Sequence, residues 1–308
     1  MTFVYKADPV RGAEWAHLFA AKAPDIPFHI WPDTGNAQQV RYLAAWLPPA
    51  DIERTFPKLE VLFSTGAGID QIDLAALPPD LPVVRLAEPG VVSGMVEYVT
   101  MAVLALHRQL PAYIRQQREA SWAAHRVQPA AKRRVSVLGL GVLGCAVLQQ
   151  LRGFGFKLAG WSRTRRQLEG VACYAGRDEL PAMLADTDIL VCLLPLTPET
   201  RGILGTALFQ QLPRGAALVH AGRGAQLDHH ALLDALESGW LSEAVLDVTE
   251  PEPLPANHPL WAHPKVLLTP HVASMTQPET AVDLVLENIR RHQAGAPLVG
   301  LVDRSRGY

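Results

Sequence analysis

The chain has 308 residues, of which 49% are hydrophobic, with 30 acidic side chains against 28 basic ones. At roughly 100–200 residues per domain, that length predicts two domains, each able to bury its own core. A net charge of −2 leaves no basic stripe, which argues against nucleic acid or an acidic membrane surface as a partner. In the first half, short apolar runs at 3–5, 28–31, 41–46, 61–64 and 83–86 read as strands, and 12–22 reads as a helix between them. Strands alternating with helices indicate βαβ units and a parallel sheet.

A long helical pattern follows over 94–118, carried by Met95, Tyr98, Val99, Ala102, Leu104, Ala105 and Ile114. Pro111 should kink or break it, because proline removes a backbone donor and crowds the preceding turn. A polar stretch over 116–134 contains Trp122. The second half then offers about six strands, at 135–138, 158–161, 189–194, 216–220, 244–248 and 266–269, with helices at 144–154, 178–184, 207–211 and 228–238. These strands are nearly continuous in apolar residues, as expected when both faces of a sheet are covered. A last helix over 278–294 is long enough to return to the first domain. The predicted domains are therefore 1–98 with 286–308, and 99–285.

Cys145, Cys173 and Cys192 form no CxxC pair and lie in apolar segments, so buried free thiols in a reducing compartment are expected. The N-terminus enters a strand-like run directly and lacks the features of a signal peptide. No stretch approaches about 18 uncharged apolar residues, so neither a membrane span nor a location outside the cytoplasm is expected.

The strongest local motif is Gly139-Leu140-Gly141-Val142-Leu143-Gly144, directly after a strand and before a helix. In this GxGxxG, Gly139 serves the tight turn, Gly141 lets the backbone approach a pyrophosphate, and Gly144 allows helix and strand to pack closely. The helix N-terminus offers its unpaired N–H groups to the phosphates. A site for NAD usually carries an acid roughly 20 residues further on. Here that place reads Trp161-Ser162-Arg163-Thr164-Arg165-Arg166. Arginines suit a 2′-phosphate where a carboxylate would repel it, so NADP(H) is the expected cofactor. Arg163 is the first choice for the phosphate, Arg165 the second, and Ser162 an added donor. The alternative is a solvated basic loop.

Three further segments stand at strand ends: Ala221-Gly222-Arg223-Gly224, the run from Asp247 through Glu252-Pro253, and Pro270-His271. Ligands in open parallel sheets bind beyond the carboxyl ends of strands, so an Arg, an acid and a His should converge there. With GxGxxG, RG, D-x-x-x-x-E-P and PH in this order, the whole chain resembles the D-2-hydroxyacid dehydrogenase family. It is most similar to the glyoxylate/hydroxypyruvate reductase A branch, through the Trp-Ser-Arg-Thr-Arg stretch, the run ending at Trp261 and the tail over 302–308.

The resemblance implies an α/β protein of two Rossmann-like domains with parallel sheets and an active site in the cleft between them. It implies NADPH-dependent reduction of small 2-keto acids. His271 would be the general acid, Glu252 would orient it and favour its charged form, and Arg223 would bind the substrate and the developing negative charge. Glu250, two residues earlier, could be confused with Glu252, which has the family spacing from Asp247. Val142, Leu143, Leu194, Pro195, Ala221 and Asp247 complete the expected cofactor contacts. Ala67 and Gly68, in the small-residue loop after a strand, would hold the substrate carboxylate as a nest of amides. Trp46 could cap a small pocket or equally be core.

His220, Thr249 and Ala273 depart from the residues many relatives carry, but none removes a catalytic group. No histidine pair has metal spacing, and the chemistry needs no metal. The family is commonly homodimeric through the 94–118 region, so a homodimer is expected. Other readings are a dehydrogenase for a different D-2-hydroxy acid, or a nucleotide-sensing regulatory protein on the same fold.

Overall fold

The computed structural model describes residues 1–304, so the last four residues of the 302–308 tail lie outside the described residues. The chain divides into two compact units, Met1–Val91 with the segment from Met275 onward, and Val92–Ser274.

The first unit contains β1 (Thr2–Lys6), α1 (Pro9–Lys22), β2 (Phe28–Ile30), β3 (Val40–Ala45), α2 (Ile52–Thr55), β4 (Val61–Ser64) and β5 (Val83–Val84). Its sheet is parallel, in the order β2-β1-β3-β4-β5. α1 starts where Asp8 caps the Arg11 amide and Pro9 occupies the first turn, a position that tolerates its missing donor. Alternate strand residues feed two cores. Phe3, Tyr5, Tyr42 and Phe63 pack with Trp15 and Phe19 of α1, while Val4, Leu43 and Leu62 pack with Ile52 of α2 and Ile69.

α3 (Pro89–His107) and α4 (Leu110–Arg118) replace the single helix expected over 94–118. The break falls at Gln109, which adopts φ 58°, and Pro111 sits in the first turn of α4 rather than inside a helix. α3 is 19 residues long and apolar enough to match a membrane span by length and composition, although it holds no run of about 18 uncharged apolar residues. It includes Glu97, and its Met95, Tyr98, Val99, Ala102, Val103 and Leu106 are buried in the core of the second unit.

The second unit continues with β6 (Arg134–Leu138), α5 (Val142–Arg152), β7 (Lys157–Ser162), β8 (Val171–Ala175), α6 (Gly176–Leu184), β9 (Ile189–Cys192) and α7 (Thr206–Phe209). β10 (Ala216–His220), α8 (His229–Glu237), β11 (Leu241–Leu246) and β12 (Val266–Leu268) complete it. All seven strands are parallel, in the order β12-β11-β10-β9-β6-β7-β8. This is the doubly wound arrangement of a dinucleotide-binding sheet, with the reversal of strand order between β6 and β9. The seventh strand, absent from the sequence reading, is the edge strand β8. Both faces are covered: Leu190, Leu218 and Leu246 meet α6, α7 and α8, and Val137, Val191 and Val219 meet α3 and α5.

The second crossing of the chain lies near Met275, not near 285, and the first near Val91, not near 98. The reason is α9 (Pro278–Gln293), which buries Ala281 and Val282 as well as Val285 and Ile289 in the first unit's core, so the whole helix belongs there. Buried Glu88 fixes the starts of α3 and α9 together. One carboxylate oxygen accepts from the amides of Val91 and Gln277, and the other from the Gly90 amide and the Thr280 hydroxyl. It thereby satisfies donors that a helix start otherwise leaves orphaned. Glu88→Ala should lower unfolding stability by about 2–4 kcal/mol, since two caps are lost at a buried site. Urea denaturation checks this, and a change under about 0.5 kcal/mol would contradict the double-cap role.

Candidate active site

The glycine motif forms the turn between β6 and α5. Gly139 adopts φ 109°, and a Cβ on Gly144 would lie 1.9 Å from the Gly139 carbonyl oxygen, so helix and turn meet closely only without side chains. At Gly141, the N-cap of α5, an added Cβ meets nothing within 4 Å, and no side chain caps the helix. The protein's own packing therefore does not demand that glycine. An open cradle lined by orphaned amides is what a pyrophosphate requires, and the residues present fit a dinucleotide. Val142 is exposed at the first turn of α5 and Leu143 half-buried beside it. After β7, Arg163 is exposed, the Ser162 hydroxyl donates to the Thr164 carbonyl at 2.7 Å, and Arg165 pairs with Glu179. Arg165 is thus engaged by a carboxylate, and Arg163 also has a partner among the described residues.

β10, β11 and β12 are adjacent, and the turns after them carry Arg223, Glu252 and His271. His271 Nδ1 lies 2.7 Å from Glu252 Oε2, and Glu252 Oε1 accepts from the Thr249 amide at 3.1 Å. An ionised carboxylate only accepts, so Nδ1 carries the proton on that side. Both side chains remain more than a third exposed, which leaves the pair open to a ligand. Glu250 is exposed and does not face the imidazole in this way. The Arg223 turn is packed onto the same loop, because a Cβ on Gly224 would fall 1.9 Å from the Thr249 carbonyl oxygen. The RG pair therefore places an arginine where only a glycine lets the neighbouring chain pass.

Asp247 is buried, and both of its oxygens are taken by the loop that carries His271. Oδ1 accepts from the Thr269 hydroxyl at 2.7 Å and the Val272 amide at 2.9 Å, and Oδ2 from the Ala273 amide at 2.9 Å. Its own carbonyl accepts from the His271 amide at 2.8 Å. Asp247, expected among the cofactor contacts, shapes the histidine loop in this arrangement. Tyr98 extends the chain with its hydroxyl 2.6 Å from the Thr269 hydroxyl. Burial pushes the Tyr98 phenol up to about 12, so it stays a neutral donor. His271 sits at φ 55°, a conformation unusual outside glycine, and these bonds hold it there.

The departures from the family pattern have visible consequences. His220 is fully buried with Nε2 3.0 Å from the Arg223 carbonyl, so it supports the arginine turn. Burial pushes its imidazole down to about 4. The Thr249 hydroxyl donates to the Pro251 carbonyl at 3.0 Å, which tightens the loop. Ala221 and Leu194 are core residues, and the Leu194 and Pro195 carbonyls both accept from Gln226. Gln226 and Thr269 carry no sequence signal for this role, and Tyr98 stands in the sequence only as a helix-core residue, because nothing in their spacing marks a buried polar network.

In the first unit, the ring of Trp46 lies 3.5 Å from where a Gly66 side chain would begin, so it covers the loop bearing Ala67 and Gly68. Trp46 is exposed rather than core, and the Ala67 and Gly68 amides have no acceptor among the described residues.

The second unit is thus a doubly wound nucleotide-binding domain with a His–carboxylate pair and an arginine at its strand ends, the layout of an oxidoreductase. Residues 100–273 match the model of the D-isomer specific 2-hydroxyacid dehydrogenase NAD-binding domain. The chain is 39% identical over 301 residues, 96% of each chain, to glyoxylate/hydroxypyruvate reductase A of Yersinia enterocolitica. It also matches the solved structure of a D-isomer specific 2-hydroxyacid dehydrogenase from Xanthobacter autotrophicus in complex with NADPH. That match has a TM-score of 0.95 and 42% identity, covering 100% of this chain and 99% of the other. A Sinorhizobium meliloti NADPH-dependent glyoxylate/hydroxypyruvate reductase, solved with NADP and sulfate, matches at a TM-score of 0.93 and 35% identity, covering 100% and 99%. The chain belongs to the D-isomer specific 2-hydroxyacid dehydrogenase family.

The depressed His220 value fixes a pH dependence. Between pH 6.5 and about 4 the unfolded histidine binds a proton that the folded one refuses, so stability falls as pH falls through that window. The difference amounts to roughly 3 kcal/mol at its acid end. His220→Asn should flatten the stability profile there relative to the wild type, as measured by denaturation at each pH. Parallel profiles for the two proteins would contradict the buried neutral imidazole.

Proposed function

We propose that this chain reduces small 2-keto acids, foremost glyoxylate and hydroxypyruvate, to 2-hydroxy acids with NADPH. The observation that carries this reading is the 2.7 Å pair of His271 and Glu252 beside the arginine turn, at strand ends of a nucleotide-binding sheet. The names of its relatives and the bound NADPH and NADP of its structural neighbours favour the same substrate class and cofactor.

Gly139, Gly141 and Gly144, with the α5 amides, would hold the pyrophosphate of NADPH, and Arg163 would bind its 2′-phosphate. When bound, NADPH supplies the hydride that adds to the 2-keto carbon. His271 gives the Nε2 proton to the carbonyl oxygen as negative charge gathers there. Glu252 accepts from Nδ1–H, keeps the ring oriented and stabilises the imidazolium before transfer. The Arg223 guanidinium binds the carboxylate and carbonyl oxygens and offsets the developing charge. The open Ala67 and Gly68 amides beneath Trp46 form a nest suited to a carboxylate.

The chain acts as a homodimer, supported by the irregular 119–129 segment, where Trp122 is fully exposed. It works in the cytoplasm, supported by three free thiols that suit a reducing compartment.

Absorbance assays with NADPH and NADH against glyoxylate, hydroxypyruvate and pyruvate test the reading, and NADPH-preferring turnover is expected. His271→Ala should lower kcat by about 100-fold or more with NADPH binding retained. Arg163→Ala should raise the KM for NADPH by about tenfold, and Arg165→Ala by much less. No turnover with any of the three acids would overturn the substrate assignment, and an unimpaired His271→Ala enzyme would remove its role. For the oligomer, analytical ultracentrifugation should give a dimer mass, and a monomer at micromolar concentration would contradict it.

A further inference from the structure

Gln226 is fully buried between the turn after β10 and the loop after β9. Its Oε1 accepts from the Arg223 amide at 2.9 Å. Its Nε2 donates to the Leu194 carbonyl at 3.1 Å and the Pro195 carbonyl at 2.9 Å. The partners fix the orientation of the carboxamide, since the Arg223 amide can only donate and the two carbonyls can only accept. The Gln226 backbone amide also donates to the Arg223 carbonyl at 3.0 Å, which His220 Nε2 contacts from the other side. Gly222 makes room for this side chain, because a Cβ there would lie 2.3 Å from Gln226 Oε1. Both ends of the arginine's backbone are therefore held, and the same carboxamide pins the loop expected to face the cofactor.

We propose that Gln226 is a positioning residue that sets Arg223 and the Leu194-Pro195 loop as one unit, so that keto-acid recognition and nucleotide binding depend on a single buried amide. This inference rests on the reductase reading above. No charged or hydroxyl side chain could replace it at neutral pH, because the site needs an acceptor on one atom and a double donor on the other.

That requirement supplies the test. In Gln226→Glu the protonated acid can still accept from Arg223 and donate to one carbonyl. The ionised form has no donor and faces two carbonyl oxygens. The ratio of variant to wild-type kcat/KM for glyoxylate should be highest at acid pH, where one of the two carbonyl bonds remains, and fall by about tenfold or more as pH rises. The dissociation constant for NADPH, read by fluorescence without substrate, should rise relative to wild type over the same range. Gln226→Met keeps the shape and neither bond, so it should show both losses at every pH while remaining folded by circular dichroism. A folded Gln226→Met protein within twofold of wild type in both readouts overturns the inference, as does a pH-independent Gln226→Glu ratio. Wild-type protein without keto-acid turnover overturns the reductase reading instead, and the NADPH constants of the two variants then decide the role of Gln226.

Discussion

The site depends on one buried carboxylate. Asp247 accepts from the Thr269 hydroxyl and from the Val272 and Ala273 amides, while its carbonyl takes the His271 amide. Without those bonds a histidine at φ 55° would relax, since the left-handed region costs a non-glycine residue on the order of 1–2 kcal/mol. With them, the imidazole is delivered to Glu252. An ionised carboxylate in a buried place is costly unless its lone pairs are filled, and here three donors fill them. The strain at His271 and the burial of Asp247 are thus two sides of one arrangement.

The sheet explains why these groups meet at all. Parallel strands end on the same side, so the turns after β10, β11 and β12 lie next to one another. The glycine turn after β6 lies on that side too, at the reversal of strand order where nucleotide sites form. Gly224 then closes the distance between the arginine turn and the Glu252 loop. In the proposed reaction specific side chains do the chemistry, but the distance between them is set by strand order and by small residues.

Much of this was legible in the sequence because parallel strands covered on both faces leave continuous apolar runs. β8 was missed because it is an edge strand whose residues are mostly half-buried and include Cys173 and Tyr174. The helix break at Gln109 was placed at Pro111 because proline marks a helix boundary only to within a turn. The strand-end residues Arg223, Glu252 and His271 could be picked out, but only the family resemblance implied their roles and the choice of Glu252 over Glu250. Gln226, Glu88, Tyr98 and the loop-shaping work of Asp247 could not. Each is a polar residue whose meaning comes from partners far away in sequence, and no local pattern encodes those partners.

In the proposed reaction His271 and Glu252 act as one proton-delivering unit on the loop that Asp247 shapes. A double-mutant cycle tests it most directly, using turnover of NADPH with saturating keto acid for wild type, Glu252→Gln, His271→Ala and the double variant. The double variant should be no slower than His271→Ala alone, because an orienting carboxylate has nothing to orient once the ring is gone. Losses that multiply would contradict it and assign Glu252 a separate task.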